Sequence, residues 1–229
     1  MTPPDRGPSR GSPARRPAGV VVGVLAWILA CGPLTAWLLW DTHSAWAAMG
    51  VYHAGCLVAG MRFAEAGRRP RWTGLLIGAI ATTSVMVAAG IPLLTWLQDS
   101  RLPMTRWKAW GLGPPGDVGI LTYYVVMNPW VEERFWRGAV AGPRFRQVVG
   151  SRASFFGSVF AFWLFHVFVL CLAFGFVLGF VTSLFVLVAA WAWTVVRIRT
   201  GNVWWCMVTH LGADLGLAIL YFTMLRDRT

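Results

Sequence analysis

Residues 153–196 read ASFFGSVFAFWLFHVFVLCLAFGFVLGFVTSLFVLVAAWAWTVV, 44 residues with no Asp, Glu, Lys or Arg and a single histidine, His166. As one continuous helix this stretch would measure about 66 Å, whereas the hydrocarbon core of a bilayer is about 30 Å thick and is crossed by roughly 20 residues. It must therefore fold back once, and Gly175, near its middle, is the predicted turn. Two spans joined in a hairpin make the bilayer the solvent against which the rest of the chain is read.

Three further uncharged or nearly uncharged runs, Pro17 to Trp40, Thr42 to Met61 and Trp72 to Gln98, each supply a span. Two others are interrupted by charge. Val118 to about Ala141 contains Glu132, Glu133, Arg134 and Arg137, and Val203 to Leu225 contains His210 and Asp214. The expected fold is all-α, a polytopic membrane protein with a bundle of about seven transmembrane helices. Residues 1–17, rich in Pro, Arg, Gly and Ser, form a disordered basic tail. Residues 18–117 hold three N-terminal spans and an external loop, 118–225 a four-helix core with all the charged spans, and 226–229 a short tail. Ile28-Leu29-Ala30-Cys31 is faintly like a lipoprotein cleavage site, but the apolar run continues to Trp40, so the first run is read as a span.

The composition agrees. Hydrophobic residues make up 57% of the 229-residue chain, charged residues 13%, and the mean hydropathy is +0.58; a soluble domain carries about 25% charged residues. Fifteen Trp and 14% aromatic content exclude a disordered chain. The net charge of +11 would suggest nucleic acid if the basic residues formed one patch, but they lie in short clusters between apolar runs, as cytoplasmic loops do under the positive-inside rule. No nucleic-acid partner is expected. With the N-terminus cytoplasmic, 15 of the 20 basic residues fall on the inner side. Trp37, Trp40, Trp46, Trp72, Trp96, Trp107 and Trp110 fall near span ends, where an aromatic belt belongs. The four cysteines sit inside apolar runs without C-x-x-C spacing, so neither a disulfide framework nor a thiolate metal site is indicated.

Ionisable groups within a span are costly unless paired or hydrated, and mark functional sites by default. Glu133 and Arg137, four apart, share a helix face and can pair, while Glu132 is turned about 100° away and remains available. The bland alternative is an interfacial helix end with an ordinary ion pair, which leaves Glu132 unexplained. His166 alone would read as a core histidine. His210 and Asp214 stack on one face at i,i+4 spacing, and His53, with no acidic partner in its own span, reads as a packing residue outside the site. Depth joins the set. Glu133 lies eleven residues before Arg144, His166 fourteen after Arg152 and His210 eleven after Arg199, about 16, 21 and 16 Å along their helices. Gly212 and Gly216, and likewise Gly175 and Gly179, have the G-x-x-x-G spacing that permits close helix approach.

A carboxylate and an imidazole in a low-dielectric pocket can share a water, one taking its proton while the other orients its attack, which suits amide hydrolysis. The second His and the Asp would serve the oxyanion side; an ionised Asp only accepts hydrogen bonds, so it must be protonated or position His210. No nucleophilic G-x-S-x-G motif accompanies them. The rival readings are a metal-binding or ion-translocating protein, with Glu132, His166, His210 and Asp214 as an N2O2 set, and a non-proteolytic immunity or scaffold protein.

The order Glu132-Glu133-x-x-x-Arg137, Phe162-x-x-x-His166 and His210-x-x-x-Asp214 resembles the CPBP family of CAAX prenyl proteases and bacteriocin-processing enzymes, as does the lead-in Gly201-Asn202-Val203-Trp204. The resemblance covers about residues 118 to 220 and makes 118–225 the catalytic core. It implies an intramembrane glutamic protease without metal or cofactor, in which Glu132 and His166 activate the water, His210 and Asp214 lie on the oxyanion side, and Arg137 holds Glu133. Asp214 stands where Asn is typical of the eukaryotic prenyl proteases; Asp occurs among bacterial members. The implied partners are the lipid bilayer and a membrane-embedded or lipid-anchored protein substrate, and the implied location is a bacterial cytoplasmic membrane.

Overall fold

The computed structural model describes residues 17–63, 70–98, 108–111 and 114–225. Among these the helices are α1 (Pro17–Trp37), α2 (Ala45–Phe63), α3 (Trp72–Gln98), α4 (Asp117–Glu133), α5 (Pro143–Val149), α6 (Ser151–Phe174), α7 (Phe176–Thr200) and α8 (Val203–Leu220). Wider π-helical turns extend α1 (Leu38–Thr42), α4 (Arg134–Val140) and α8 (Tyr221–Leu225). The described residues contain no strand.

Five segments are long and apolar enough to cross a bilayer: Val22–Asp41, Trp72–Thr95, Ser151–Phe174, Phe176–Thr200 and Val203–Met224. The shorter apolar helix Ala45–Met61 and the charged α4 pack among them, so the bundle has the expected all-α, roughly seven-helix form. The chain is an integral membrane protein. The basic tail, apart from Pro17, lies outside the described residues, as do residues 99–107 of the expected external loop and the tail 226–229. Pro17, assigned to the tail by composition, opens α1.

The hairpin turns at Gly175, whose φ of 83° suits a residue without a Cβ. Gly201 ends α7 in the left-handed region at φ 65°, and Asn202 caps α8 by accepting from the Trp204 backbone N–H at 2.8 Å. The lead-in Gly-Asn pair is therefore a stop followed by a start.

One element was not foreseen. Residues 142–152 read as a basic loop, but Pro143 in the first turn and Gly150 at φ 87° bound the short helix α5. It buries Phe145 and exposes Arg144 and Gln147; seven residues with this polarity are too few to register as a span. Trp110 also differs from expectation: it is buried with Leu39 and Ala48, whereas Trp37, Trp40, Trp46 and Trp72 are exposed as belt residues would be.

Helix α8 is the axis of the arrangement, touching α3, α4 and α7. Its glycines explain the contact with α3. A Cβ at Gly212 would collide with Thr82 and the Ala79 carbonyl, one at Gly216 with Met86, and the Thr83 hydroxyl donates to the Gly212 carbonyl at 2.9 Å. Gly179 plays a similar part within the hairpin, lying against the backbone of Leu170 and Cys171.

Candidate active site

From Val131 to Gly142 every residue but Arg134 is buried. Such a helix has neighbours on all sides, here α2, α5, α6, α7 and α8. Pro129 removes one backbone donor from α4, and from Arg134 the chain widens into the π-turn, where the Ala141 N–H reaches the Trp136 carbonyl at 2.9 Å. With no water in the hydrocarbon region, backbone carbonyls need protein partners. Ser154 donates to the Val140 carbonyl at 2.6 Å, Ser158 to that of Trp136 at 3.0 Å, and Arg197 to that of Arg137 at 3.0 Å. The i,i+4 serines of α6 and an arginine of α7 thus hold the irregular turn in place.

The reading of this segment as an interfacial charged end does not hold: Glu132 is 1% exposed, and Glu133 and Arg137 are 0% exposed. Arg137 Nη1 lies 2.9 Å from Glu133 Oε1, as the i,i+4 spacing predicts. The same oxygen accepts from His210 Nδ1 at 2.8 Å. A carboxylate accepts here, so Nδ1 carries a hydrogen, and Nε2 faces the other acids. His210 Nε2 is 3.5 Å from Asp214 Oδ1 and 3.7 Å from Glu132 Oε2. The imidazole stacks on Trp193, with centroids 4.3 Å apart and planes at 20°.

Phe162 has a definite task. The Arg137 guanidinium sits 4.3 Å from its ring centroid, and Trp136 and Trp193 meet it edge-on, so a cation–π contact supports a buried cation whose charge is already paired. His166 packs against the same ring at 4.3 Å and donates from Nδ1 to the Phe162 carbonyl at 2.8 Å. That leaves Nε2 as an acceptor. His166 makes no ion pair with a carboxylate among the described residues; it joins the cluster through Phe162 and by electrostatic interaction with Glu132, His210 and Arg137. Glu132, Glu133, Arg137, His210 and Asp214 are therefore in direct contact through a chain of polar atoms, and His166 flanks them. Among the described residues no group of three or more His, Cys, Asp or Glu is arranged to hold a metal ion.

Glu132 is not left without a partner, as its rotation away from Arg137 suggested. The Tyr52 hydroxyl donates to its Oε1 and itself accepts from Trp136 Nε1 at 3.1 Å. Tyr52 is held flat against Phe165, with centroids 4.1 Å apart and planes at 4°. Its neighbour His53, read as a packing residue, bonds Asn128 through Nε2 at 2.9 Å, and the Asn128 amide donates to Asp214 Oδ2 at 3.1 Å. His53 was weighed only within its own span, and Tyr52 and Asn128 were not singled out; the partners of all three lie on other helices. Their polarity inside apolar runs was the available signal. Gly60 lets α2 come this close, since a Cβ there would meet the Arg134 side chain at 3.3 Å.

The sequence model of the type II CAAX prenyl endopeptidase Rce1-like family matches residues 114–216, from the turn before α4 through most of α8. Residues 114–216 belong to that family. The match supports a CAAX-type membrane endopeptidase at the level of the family. No curated protein and no solved structure gives a match. The Rce1-like stretch contains Glu132, Glu133, Arg137, Phe162, His166, His210 and Asp214, whereas Tyr52 and His53 come from α2, ahead of it.

Proposed function

We propose that this chain is an intramembrane endopeptidase in which Glu132 and His166 activate the hydrolytic water. The observation that carries the reading is the asymmetry of the Glu132 carboxylate. Oε1 is held by Tyr52, while buried Oε2 has no hydrogen bond from the described residues and faces His210 Nε2 at 3.7 Å. One oxygen is fixed and the other can receive a proton. A fixed orientation of this kind removes reorganisation from the reactive step.

In the proposed reaction, water bound at Glu132 Oε2 donates a hydrogen bond to His166 Nε2 and gives its other proton to Oε2 as its oxygen bonds to the scissile carbonyl carbon. The carbonyl π pair moves to oxygen. Collapse of the tetrahedral intermediate breaks the C–N bond, and the proton on Glu132 passes to the departing amine. Glu133, clamped by Arg137, holds the His210 ring in one orientation through Nδ1, and His210 with Asp214 lies beside the developing oxyanion. The substrate is a membrane-embedded or lipid-anchored protein. The site opens toward the cytoplasmic half of a bacterial membrane with the N-terminus inside, a topology supported by the basic loops.

The test compares new protein termini, by terminus-enriched mass spectrometry, in cells carrying the wild-type chain and Glu132→Gln, a change that keeps the shape and removes the base. Termini that vanish in the variant at equal membrane abundance are expected. Identical terminus sets would overturn the endopeptidase reading.

A further inference from the structure

Buried polar chains that end at a reactive cluster have a direction, and the one that starts on α2 can be followed atom by atom. His53 is buried between two partners: Nδ1 lies 2.9 Å from the Tyr123 hydroxyl and Nε2 lies 2.9 Å from Asn128 Oδ1. An amide oxygen only accepts, so Nε2 carries the ring hydrogen and Nδ1 takes the hydrogen of Tyr123. On its far side Asn128 Nδ2 donates to Asp214 Oδ2 at 3.1 Å and lies 3.5 Å from His210 Nε2. Every bond therefore points the same way, from Tyr123 to His53 to Asn128 to Asp214. Reversing the amide would set its oxygen against the Asp214 carboxylate, acceptor to acceptor.

The chain delivers a neutral NH2 group to a place lined by carboxylate acceptors. Glu132 and Asp214 offer acceptor oxygens, and the Nδ1 hydrogen of His210 is committed to Glu133. One Asn128 hydrogen goes to Asp214. The second lies on the side of His210 Nε2, 3.5 Å from Nδ2, where a carbonyl oxygen acquiring negative charge would need a donor. Asp214 stands on the oxyanion side of the proposed site without being able to donate as a carboxylate.

We propose that Asn128 is a catalytic residue, the amide N–H donor to the substrate carbonyl oxygen, and that His53 is a positioning residue that fixes the orientation of this amide. The proposal deepens the endopeptidase reading and rests on it. As the water oxygen bonds to the carbonyl carbon and the π pair shifts to oxygen, the Asn128 N–H strengthens its hydrogen bond to that oxygen, while the other N–H stays on Asp214. No proton leaves the amide.

The test uses the full-length chain in cells, with membrane abundance and detergent melting temperature of each variant measured beside the yield of Glu132-dependent termini. Loss of one oxyanion donor lowers turnover by about 100-fold or more, so Asn128→Ala should reduce those termini by that order. Asp214→Asn added to Asn128→Ala should raise the yield at least about tenfold, because it returns an amide donor to the same place. It leaves His53 without its Asn128 contact in both variants, so a role confined to packing predicts no rescue. His53→Phe added to Asn128→Ala should change the yield less than about twofold if it acts through the amide.

Termini that depend on Glu132 but stay within threefold of wild type in Asn128→Ala would overturn the role of Asn128 and leave the endopeptidase reading standing. Absence of rescue by Asp214→Asn in a folded double variant would overturn it too. A large additional loss from His53→Phe would overturn the positioning role. If no terminus depends on Glu132, the endopeptidase reading fails first and this assignment with it.

Discussion

Helices α3 and α8 lie side by side and both are apolar enough to cross a bilayer, yet 6% of the α3 span is buried and 56% of the α8 span. Their difference is in polar content. Between Trp72 and Gln98 there is no ionisable residue, and Thr82, Thr83 and Thr95 bond backbone carbonyls of α3 itself or of Gly212. α8 carries His210 and Asp214 into the cluster on α4. Apolarity places a helix in the membrane but does not say where it sits in the bundle, because lipid is as good a solvent for Leu as another helix is. Polar groups give the position, since each must find a partner away from lipid.

The sharpest way to break this contrast is to remove one end of the buried ion pair. Arg137→Leu leaves Glu133 charged and buried with the His210 contact alone, and unpairing a buried charge costs about 3–5 kcal/mol. The expected result is a sharp fall in the unfolding midpoint in detergent, with Glu133→Leu/Arg137→Leu recovering part of it because no lone charge remains. If Arg137→Leu melted like the wild type, the cluster would be wetter than its burial implies.

Tyr52→Phe tests the link that crosses from α2 into the Rce1-like stretch. It keeps the stacking on Phe165 and removes the donor to Glu132 Oε1. A hydrogen bond to a charged group contributes about 1.5–3 kcal/mol, so the yield of Glu132-dependent termini should fall roughly 10- to 150-fold with little change in membrane abundance. An unchanged yield would mean that the Glu132 orientation is set by other contacts.

Much of the fold was legible because its signals are local. The uncharged run 153–196 required a hairpin, Gly175 marked its turn, and the Glu133–Arg137 spacing required a shared face. His210 and Glu133 were foreseen in one layer from helix rise alone, and they bond at 2.8 Å. What stayed hidden depends on neighbours distant in sequence. Tyr52 is 80 residues from Glu132 and His53 is 75 from Asn128, and no periodicity within α2 reports which helix it faces. The helix α5 was hidden because seven residues with a basic side read as loop until Phe145 finds its core.

The smallest effects compare the two sides of α3. On the side facing α8, Gly212→Ala would drive a Cβ into Thr82 and the Ala79 carbonyl, and overpacking of a close contact costs about 1–3 kcal/mol. On the other side, Ile80 is 58% exposed. Ile80→Ala removes a larger group, yet in the bundle and in a separated helix alike that group lies in lipid, so the change should stay within about 0.5 kcal/mol. Adding one methyl group inside the bundle is thus expected to destabilise more than deleting three carbons at its lipid face, an order opposite to the one a soluble core would give for the same apolar residues. Detergent unfolding midpoints of the two variants, measured side by side, decide the order, and a larger loss from Ile80→Ala would show that this face of α3 is covered by protein.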